Sequence, residues 1–387
     1  MMMRVVICGL LVMGTLLGMA GIDLILPAVP AIAQWPGAGP APAQLVIAAY
    51  IGGTVLGLPL FAMLSQRFDR RWLLVLSLAG TALLSAAATW RQDIWMLVAI
   101  RFVQGVVASA PAVFAPGIIR RLFDEIGAMR ALAALGSIEA IVPGAAPIAG
   151  AALLVWGGWQ APFLVTAVLA VFVLACLLAG FRVLPAGGAE ARPDGSYRRL
   201  LTDPVFLRYA LSQSCVLGGL LIFVFGAPLT ITATMGGEMR DFIIMQAIGV
   251  TLFAVTANLA GGLARRWGIE RMISIGTALA LFSSLLLLGA ALAGLAEVWM
   301  LPLLIAPLNI GLGLRGPPGF LRAIMAGRGD DDRASALVIL FITGMASGGT
   351  ALLAPFIMMG LPVLAAAVLL MQVLGMVCLL TLPRLKA

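Results

Sequence analysis

Apolar residues run through this chain in long blocks rather than in the three-or-four spacing of a soluble amphipathic helix. Twelve blocks stand at 5–33, 44–64, 72–90, 94–118, 128–155, 162–184, 205–234, 240–263, 270–293, 297–320, 332–357 and 361–383. Each has the roughly 20 residues a helix needs to cross a bilayer, whereas a membrane strand needs only about 9–11 alternating ones. Most are apolar on every face, as suits a helix surrounded by lipid and other helices. The pattern predicts an all-α membrane protein with twelve transmembrane helices. The first block exceeds the about 7–15 residues of a secretory-signal core, and Asp23 interrupts it, so it reads as the first span.

Composition agrees with this reading. Of 387 residues, 62% are hydrophobic and 10% charged, and the mean hydropathy is +1.12. Soluble domains carry about 45–50% apolar and about 25% charged residues. The net charge of +8 would suit a nucleic-acid binder, but here the basic residues are spread through short connectors. Counted alternately from an inside N-terminus, the connectors place 20 basic residues inside and two, Arg91 and Arg240, outside; Arg101 and Arg315 fall within blocks. That asymmetry predicts an even number of spans with both termini cytoplasmic. Histidine is absent, which excludes histidine catalysis, switching and metal ligation. Cys8, Cys176, Cys215 and Cys378 are isolated in apolar runs, without metal or redox spacing. No cofactor and no metal are expected.

The longest internal connector, AGGAEARPDGSYRR near 185–204, has the Gly, Pro and charge of a surface linker. It separates a 1–184 half from a 205–387 half. The halves echo each other: LSQRFDRRW at Leu64 against LARRWGIER at Leu263, and IWML at Ile94 against VWML at Val298, offsets of 199 and 204 residues. A repeat of that length predicts two pseudo-symmetric six-helix bundles joined by a cytoplasmic linker, with the site at their interface.

Ionisable residues inside spans are costly and point to function. Asp23, ten residues before the outer end of span 1, and Arg101, seven residues past the outer end of span 4, stand at depths differing by only about 4–5 Å. The pair is placed to meet, either as static glue or as a working site. Glu139 lies near the midplane of span 5 with no basic partner at its depth, which is what a proton-coupling carboxylate requires. The neighbours of these residues form polar or small-residue stripes: Arg101, Gln104, Gly105 and Ser109; Glu139, Pro143, Pro147 and Gly150; Tyr50, Gly53, Thr54 and Gly57. Tyr50, Thr54, Gln104, Ser109 and Gln246 are the candidate cavity residues. Pro143, Gly144, Pro147 and Gly150 make a dense hinge candidate. Arg315, near the inner end of span 10, is expected to snorkel.

Several segments resemble the major facilitator superfamily, and within it the drug:proton antiporters of the bicyclomycin-resistance type. IDLILPAVPAIA resembles that branch's first-helix end, with Asp23 at the acidic position. IRFVQG resembles the fourth-helix motif, matching Arg101, Gln104 and Gly105. GSIEAIVPGAAPIAGA followed by WGGWQAPF resembles the fifth-helix antiporter motif, matching Pro143, Pro147 and Gly150, and RASALVILFITGMASG resembles the eleventh helix. The resemblance implies a major facilitator fold and proton-coupled export of small amphipathic neutral or cationic compounds, antibiotics among them, by alternating access. It also implies a bacterial inner-membrane location and a single chain acting alone, with protons, small molecules and lipid as partners, and no enzymatic role. A metabolite, sugar or siderophore carrier of the same fold stays open beside it; a membrane enzyme or scaffold fits less well, because no nucleophile has a base nearby. The loop after span 2 departs from the family pattern: Ala62, Gln66 and Asp69 stand where Gly, Asp and Gly are usual, while Arg67, Arg70 and Arg71 remain. Whether that loop keeps its gating charge network depends on Asp69 substituting. Glu139 is not a regular part of the fifth-helix motif.

Overall fold

The structure, a computed structural model, describes residues 2–65, 67–90, 93–122, 135, 142–181, 184, 197–328 and 331–385. Among these, eleven helical spans are long and apolar enough to cross a membrane, with a shorter apolar helix at Gly144–Gly157. Helices suit this sequence because hydrocarbon offers no hydrogen bonds, and an α-helix satisfies its main chain within one segment. The chain divides into two compact units, Met1–Ala191 and Arg192–Ala387.

In the first unit the helices are α1 (Met2–Asp23), α2 (Pro40–Leu64), α3 (Arg70–Ala87), α4 (Ile94–Ala108), α5 (Ala110–Leu122), α6 (Val142–Gly157) and α7 (Ala161–Ala179). Helix α2 packs on α4, α3 on α7, and α1 on α5, α6 and α7. In the second unit they are α8 (Pro204–Thr234), α9 (Met239–Trp267), α10 (Ile269–Leu292), α11 (Leu301–Ala326), α12 (Asp331–Leu353) and α13 (Leu361–Thr381). There α9 packs on α11, α10 on α11 and α13, and α8 on α12 and α13. The α2–α4 and α3–α7 pairings of one unit thus recur as α9–α11 and α10–α13 in the other.

Two expected spans are interrupted, each for a reason in the main chain. The 5–33 block leaves α-helical geometry after Asp23, passes through a 3₁₀ turn at Leu26–Ala28 and resumes at Val29–Ala33. Pro27 has no N–H for the Asp23 carbonyl, so the ladder cannot continue there. The 94–118 block breaks at Ser109, between α4 and α5. Pro111 would leave the Val107 carbonyl without its donor, and the Ser77 hydroxyl of α3 supplies one at 2.5 Å. Of the expected 128–155 span, residues 128–134 and 136–141 lie outside the described residues.

Glycines set the closest helix contacts. A methyl group at Gly53 would collide with the Phe102 carbonyl, and one at Gly105 with the Tyr50 carbonyl, so α2 and α4 meet main chain to main chain. Gly276 and Gly311 do the same for α10 and α11. Helix ends are fixed by polar caps: Asp203 accepts from the Val205 amide at 2.8 Å to start α8, and Glu238 with Asp241 forms a reciprocal cap on α9.

Candidate functional site

The break in α1 creates the first unit's polar centre. Beyond it the Ile25 amide bonds to the Ile22 carbonyl, three residues back, and the Gly21 carbonyl loses its normal i+4 donor. Arg101 of α4 takes that place: its Nη2 donates to the Gly21 carbonyl at 2.6 Å. Its Nη1 donates to Gln104 Oε1 at 2.6 Å and its Nε to the Val46 carbonyl at 3.4 Å. The guanidinium lies over the Tyr50 ring at 4.0 Å and near the Phe163 ring of α7 at 5.6 Å. Arg101 is 0% exposed, so these acceptors and aromatic faces carry the whole of its solvation.

A second layer holds the first. Tyr50 donates its hydroxyl to the Gly18 carbonyl at 2.7 Å, and Gln104 Nε2 donates to Ser85 Oγ of α3 at 2.6 Å. Gly21 leaves room for the Tyr50 hydroxyl, since a methyl there would stand 2.5 Å from it. Four helices, α1, α2, α3 and α4, are therefore tied through one cation.

The sequence places Asp23 and Arg101 at matching depth for a pair, and the structure does not make that pair. Among the described residues, Asp23 has no ion pair and no hydrogen bond; Arg101 reaches two residues short of it, to the main chain of Gly21. The guanidinium instead takes the Gly21 carbonyl that the α1 break frees, at 2.6 Å. Asp23 is left half-buried at the α1 break. Glu139, the other carboxylate of interest, lies outside the described residues.

The remaining candidates fall as follows. Tyr50 and Gln104 join the Arg101 cluster. Thr54 donates to the Tyr50 carbonyl at 3.1 Å and Ser109 to the Val106 carbonyl at 2.7 Å, so both hydroxyls serve the α2–α4 seam in this state. Gln246 is buried on α9, in the second unit. Pro143 and Gly144 begin α6, and Pro147 sits inside it. Gly150 packs directly on the Leu24 carbonyl, beside Asp23, so the proline–glycine stretch abuts the α1 break. In the loop after α2, Arg67 is exposed. Asp69 caps α3 through the Arg71 amide at 2.9 Å and holds the Arg71 side chain at 2.6 Å, while that guanidinium rests on Phe181 at 5.0 Å. Arg70 opens α3. Among the described residues, no group of three or more His, Cys, Asp or Glu side chains is placed to hold a metal ion.

Sequence reasoning did not find Ser85, Phe163 or the Gly21 carbonyl as partners of Arg101. It also misplaced Arg315, which does not snorkel: it is 0% exposed, because α11 continues to Ala326 and keeps the side chain far from its end.

Comparison with known proteins supplies the family. The model of the Major Facilitator Superfamily matches residues 11–350. A chloramphenicol resistance protein of Pseudomonas aeruginosa is 28% identical over 330 residues, 79% of this chain and 74% of that protein. A bicyclomycin resistance protein homolog of Haemophilus influenzae is 23% identical over 71% of this chain and 70% of its own length. The multidrug resistance protein MdtL of Escherichia fergusonii is 25% identical over 64% of this chain and 63% of its own. Among solved structures, a POT family transporter in complex with 5-aminolevulinic acid superposes with a TM-score of 0.74 at 13% identity, over 96% of this chain and 94% of that one. A D-xylose-proton symporter does so with a TM-score of 0.69, also at 13% identity and over 96% of each chain. At such identities the superpositions establish the fold alone. A multi-pass helical membrane chain, with relatives named for drug resistance and a family match over most of its length, is a transporter rather than an enzyme, and it belongs to the major facilitator superfamily.

Proposed function

We propose that this chain exports small amphipathic neutral or cationic compounds, antibiotics among them, in exchange for protons. It would do so from the bacterial inner membrane, as twelve spans in two six-helix bundles, 1–184 and 205–387, with a cytoplasmic linker at 185–204 and both termini cytoplasmic. It acts as a single chain by alternating access. The observation that carries the reading is Asp23: an intramembrane carboxylate with no hydrogen bond or ion pair among the described residues, at a broken helix, two residues from the carbonyl that anchors a buried arginine. Such a group takes up and releases a proton without first dismantling an ion pair. The resistance-protein relatives favour export and drug-like cargo.

In this mechanism Asp23 accepts a proton from the outer side and releases it inward, and Glu139 is the second candidate carrier. Arg101 is the fixed charge, and the field it experiences changes with the charge state of Asp23. Because it grips the α1 main chain, a change at Asp23 reaches α2, α3 and α4 through Tyr50 and Gln104. The hinge at Pro143–Gly150, seated on Leu24, carries the same change to α6. One inward proton at about 100 mV supplies about 2.3 kcal/mol. A tenfold gradient costs about 1.4 kcal/mol. For a neutral cargo the potential alone therefore sustains a gradient under about a hundredfold; one-for-one exchange with a monovalent cation moves no net charge and draws on the pH difference instead.

The test is proton-gradient-driven transport in proteoliposomes over a panel that includes chloramphenicol and bicyclomycin. Asp23→Asn is expected to abolish coupling and retain cargo-driven exchange, with Glu139→Gln as the parallel variant. Full proton-driven transport in both single variants would overturn the coupling assignment, and the absence of any cargo-dependent flux in the unaltered chain would overturn the export reading.

A further inference from the structure

Arg315 is a fully buried cation that the transport reading leaves unused. Its stem crosses Gly276 of α10, where a methyl group would stand 2.6 Å from its Cβ and 3.1 Å from its Cγ. Its head reaches α8: Nη1 donates to the Ser212 carbonyl at 3.1 Å and Nη2 to Ser212 Oγ at 3.0 Å. Its Nε is buried without an acceptor, and among the described residues no carboxylate pairs with it. The neighbouring Gln213 is also buried, and its Oε1 has no partner. Gln213 and Arg315 border the same glycine: a methyl at Gly319 would come 2.7 Å from Gln213 Oε1 and 3.7 Å from Arg315 Nη2. The absent side chain at Gly319 lets the Gln213 amide lie against the α11 main chain, on the same side as the Arg315 head.

Other arginines of the chain show how far this environment falls short. Arg101 has acceptors for all three nitrogens and two aromatic faces. Arg208 and Arg322 each leave an Nε without a hydrogen bond, but both lie on the Glu270 carboxylate, Arg322 through that Nε at 3.6 Å. Among the described residues, Arg315 has neither a carboxylate, nor an aromatic face, nor a full set of acceptors. A guanidinium held that way in a low-dielectric interior calls for negative charge. The polar atoms around it suit that role. Ser212 Oγ accepts from Arg315, so its own proton is free to point elsewhere. The Gln213 amide, turned over, presents its NH₂ in place of Oε1.

We propose that Arg315, Ser212 and Gln213 form a binding site for a small monovalent anion, either chloride or the carboxylate group of a cargo. The guanidinium supplies charge and the Nε–H; the serine hydroxyl and the glutamine amide complete a ring of donors. Occupancy neutralises the second unit's buried charge. With carboxylate as the occupant, the site extends the accepted cargo to zwitterions and organic acids. This proposal is independent of the direction of transport and of proton coupling, and its test uses neither.

The test is the thermal unfolding midpoint of the purified full chain in detergent, at constant ionic strength, titrating sodium gluconate with sodium chloride or with sodium acetate. Gluconate is too bulky for an enclosed site. The expected result is a saturable rise of about 2 °C or more in the smaller anion. A response to chloride assigns the ion as occupant, and a response to acetate alone assigns a cargo carboxylate. Arg315→Gln is expected to remove the response, and Ser212→Ala, which keeps the charge, to raise the half-saturating concentration at least threefold. Should Arg315→Gln fail to fold, Ser212→Ala carries the test. Equal midpoints in the three salts would overturn the proposal, and so would an anion response that persists in Arg315→Gln or is unchanged in Ser212→Ala.

Discussion

Two loops of this chain share a sequence echo and do different work. LSQRFDRRW runs into α3 and LARRWGIER runs from the end of α9 into α10, each with an acidic residue among arginines. Asp69 stands just before its helix. Its short side chain turns back to cap α3, with one oxygen on the Arg71 amide and the other on the Arg71 side chain. Glu270 is already inside α10, one methylene longer, and it reaches sideways. Its carboxylate accepts from the Tyr209 hydroxyl at 2.6 Å and lies 3.7 Å from Arg208 and 3.6 Å from Arg322. Arg208 in turn holds the carbonyls of Leu379 and Leu382, and Tyr209 accepts from the Leu385 amide at 3.0 Å. One acid starts a helix; the other binds α8, α10, α11 and the residues after α13 into a single cluster. A two-residue shift in register along a helix start, from the N-cap to the second helical position, is enough to turn a cap into a cross-link.

Removing the acids one at a time separates the two roles. Glu270→Gln leaves the buried Arg208 without its carboxylate and is expected to cost about 3 kcal/mol of stability, read as a lowered unfolding midpoint of the purified protein. Loss of the cap in Asp69→Ala is expected to cost about 1 kcal/mol, and Asp69→Asn, which still caps, should recover most of it. The smallest effect belongs to Arg71→Lys, within about 0.5 kcal/mol, since a partly exposed ion pair next to its own loop contributes little. Equal losses for Glu270→Gln and Asp69→Ala would show that the echo carries a common structural role after all.

The spans were legible because bilayer thickness imposes a length that few other contexts require, and the apolar runs have it. The Arg101 site was legible in part: Arg101, Gln104 and Tyr50 fall on stripes whose spacing brings them to one face. Its acceptors were not, because a main-chain carbonyl has no letter in the sequence. The Gly21 carbonyl becomes an acceptor only when α1 breaks, and Pro27 marks that break without saying which side chain will answer it. The position of Arg315 was misjudged for a related reason. An end at 320 brings it near the helix terminus, but Pro317 and Pro318 are accommodated within α11, which runs on to Ala326. The reach of Glu270 was likewise hidden, since its three partners come from α8 and α11.

The glycine contacts between α2 and α4 carry one more implication. Helices whose backbones touch at Gly53 and Gly105 have no side-chain layer in which to slide, so they travel as one stiff plank. Spin labels fixed on the outer surfaces of these two helices should hold a constant separation through a transport cycle, while distances from either helix to α6 change.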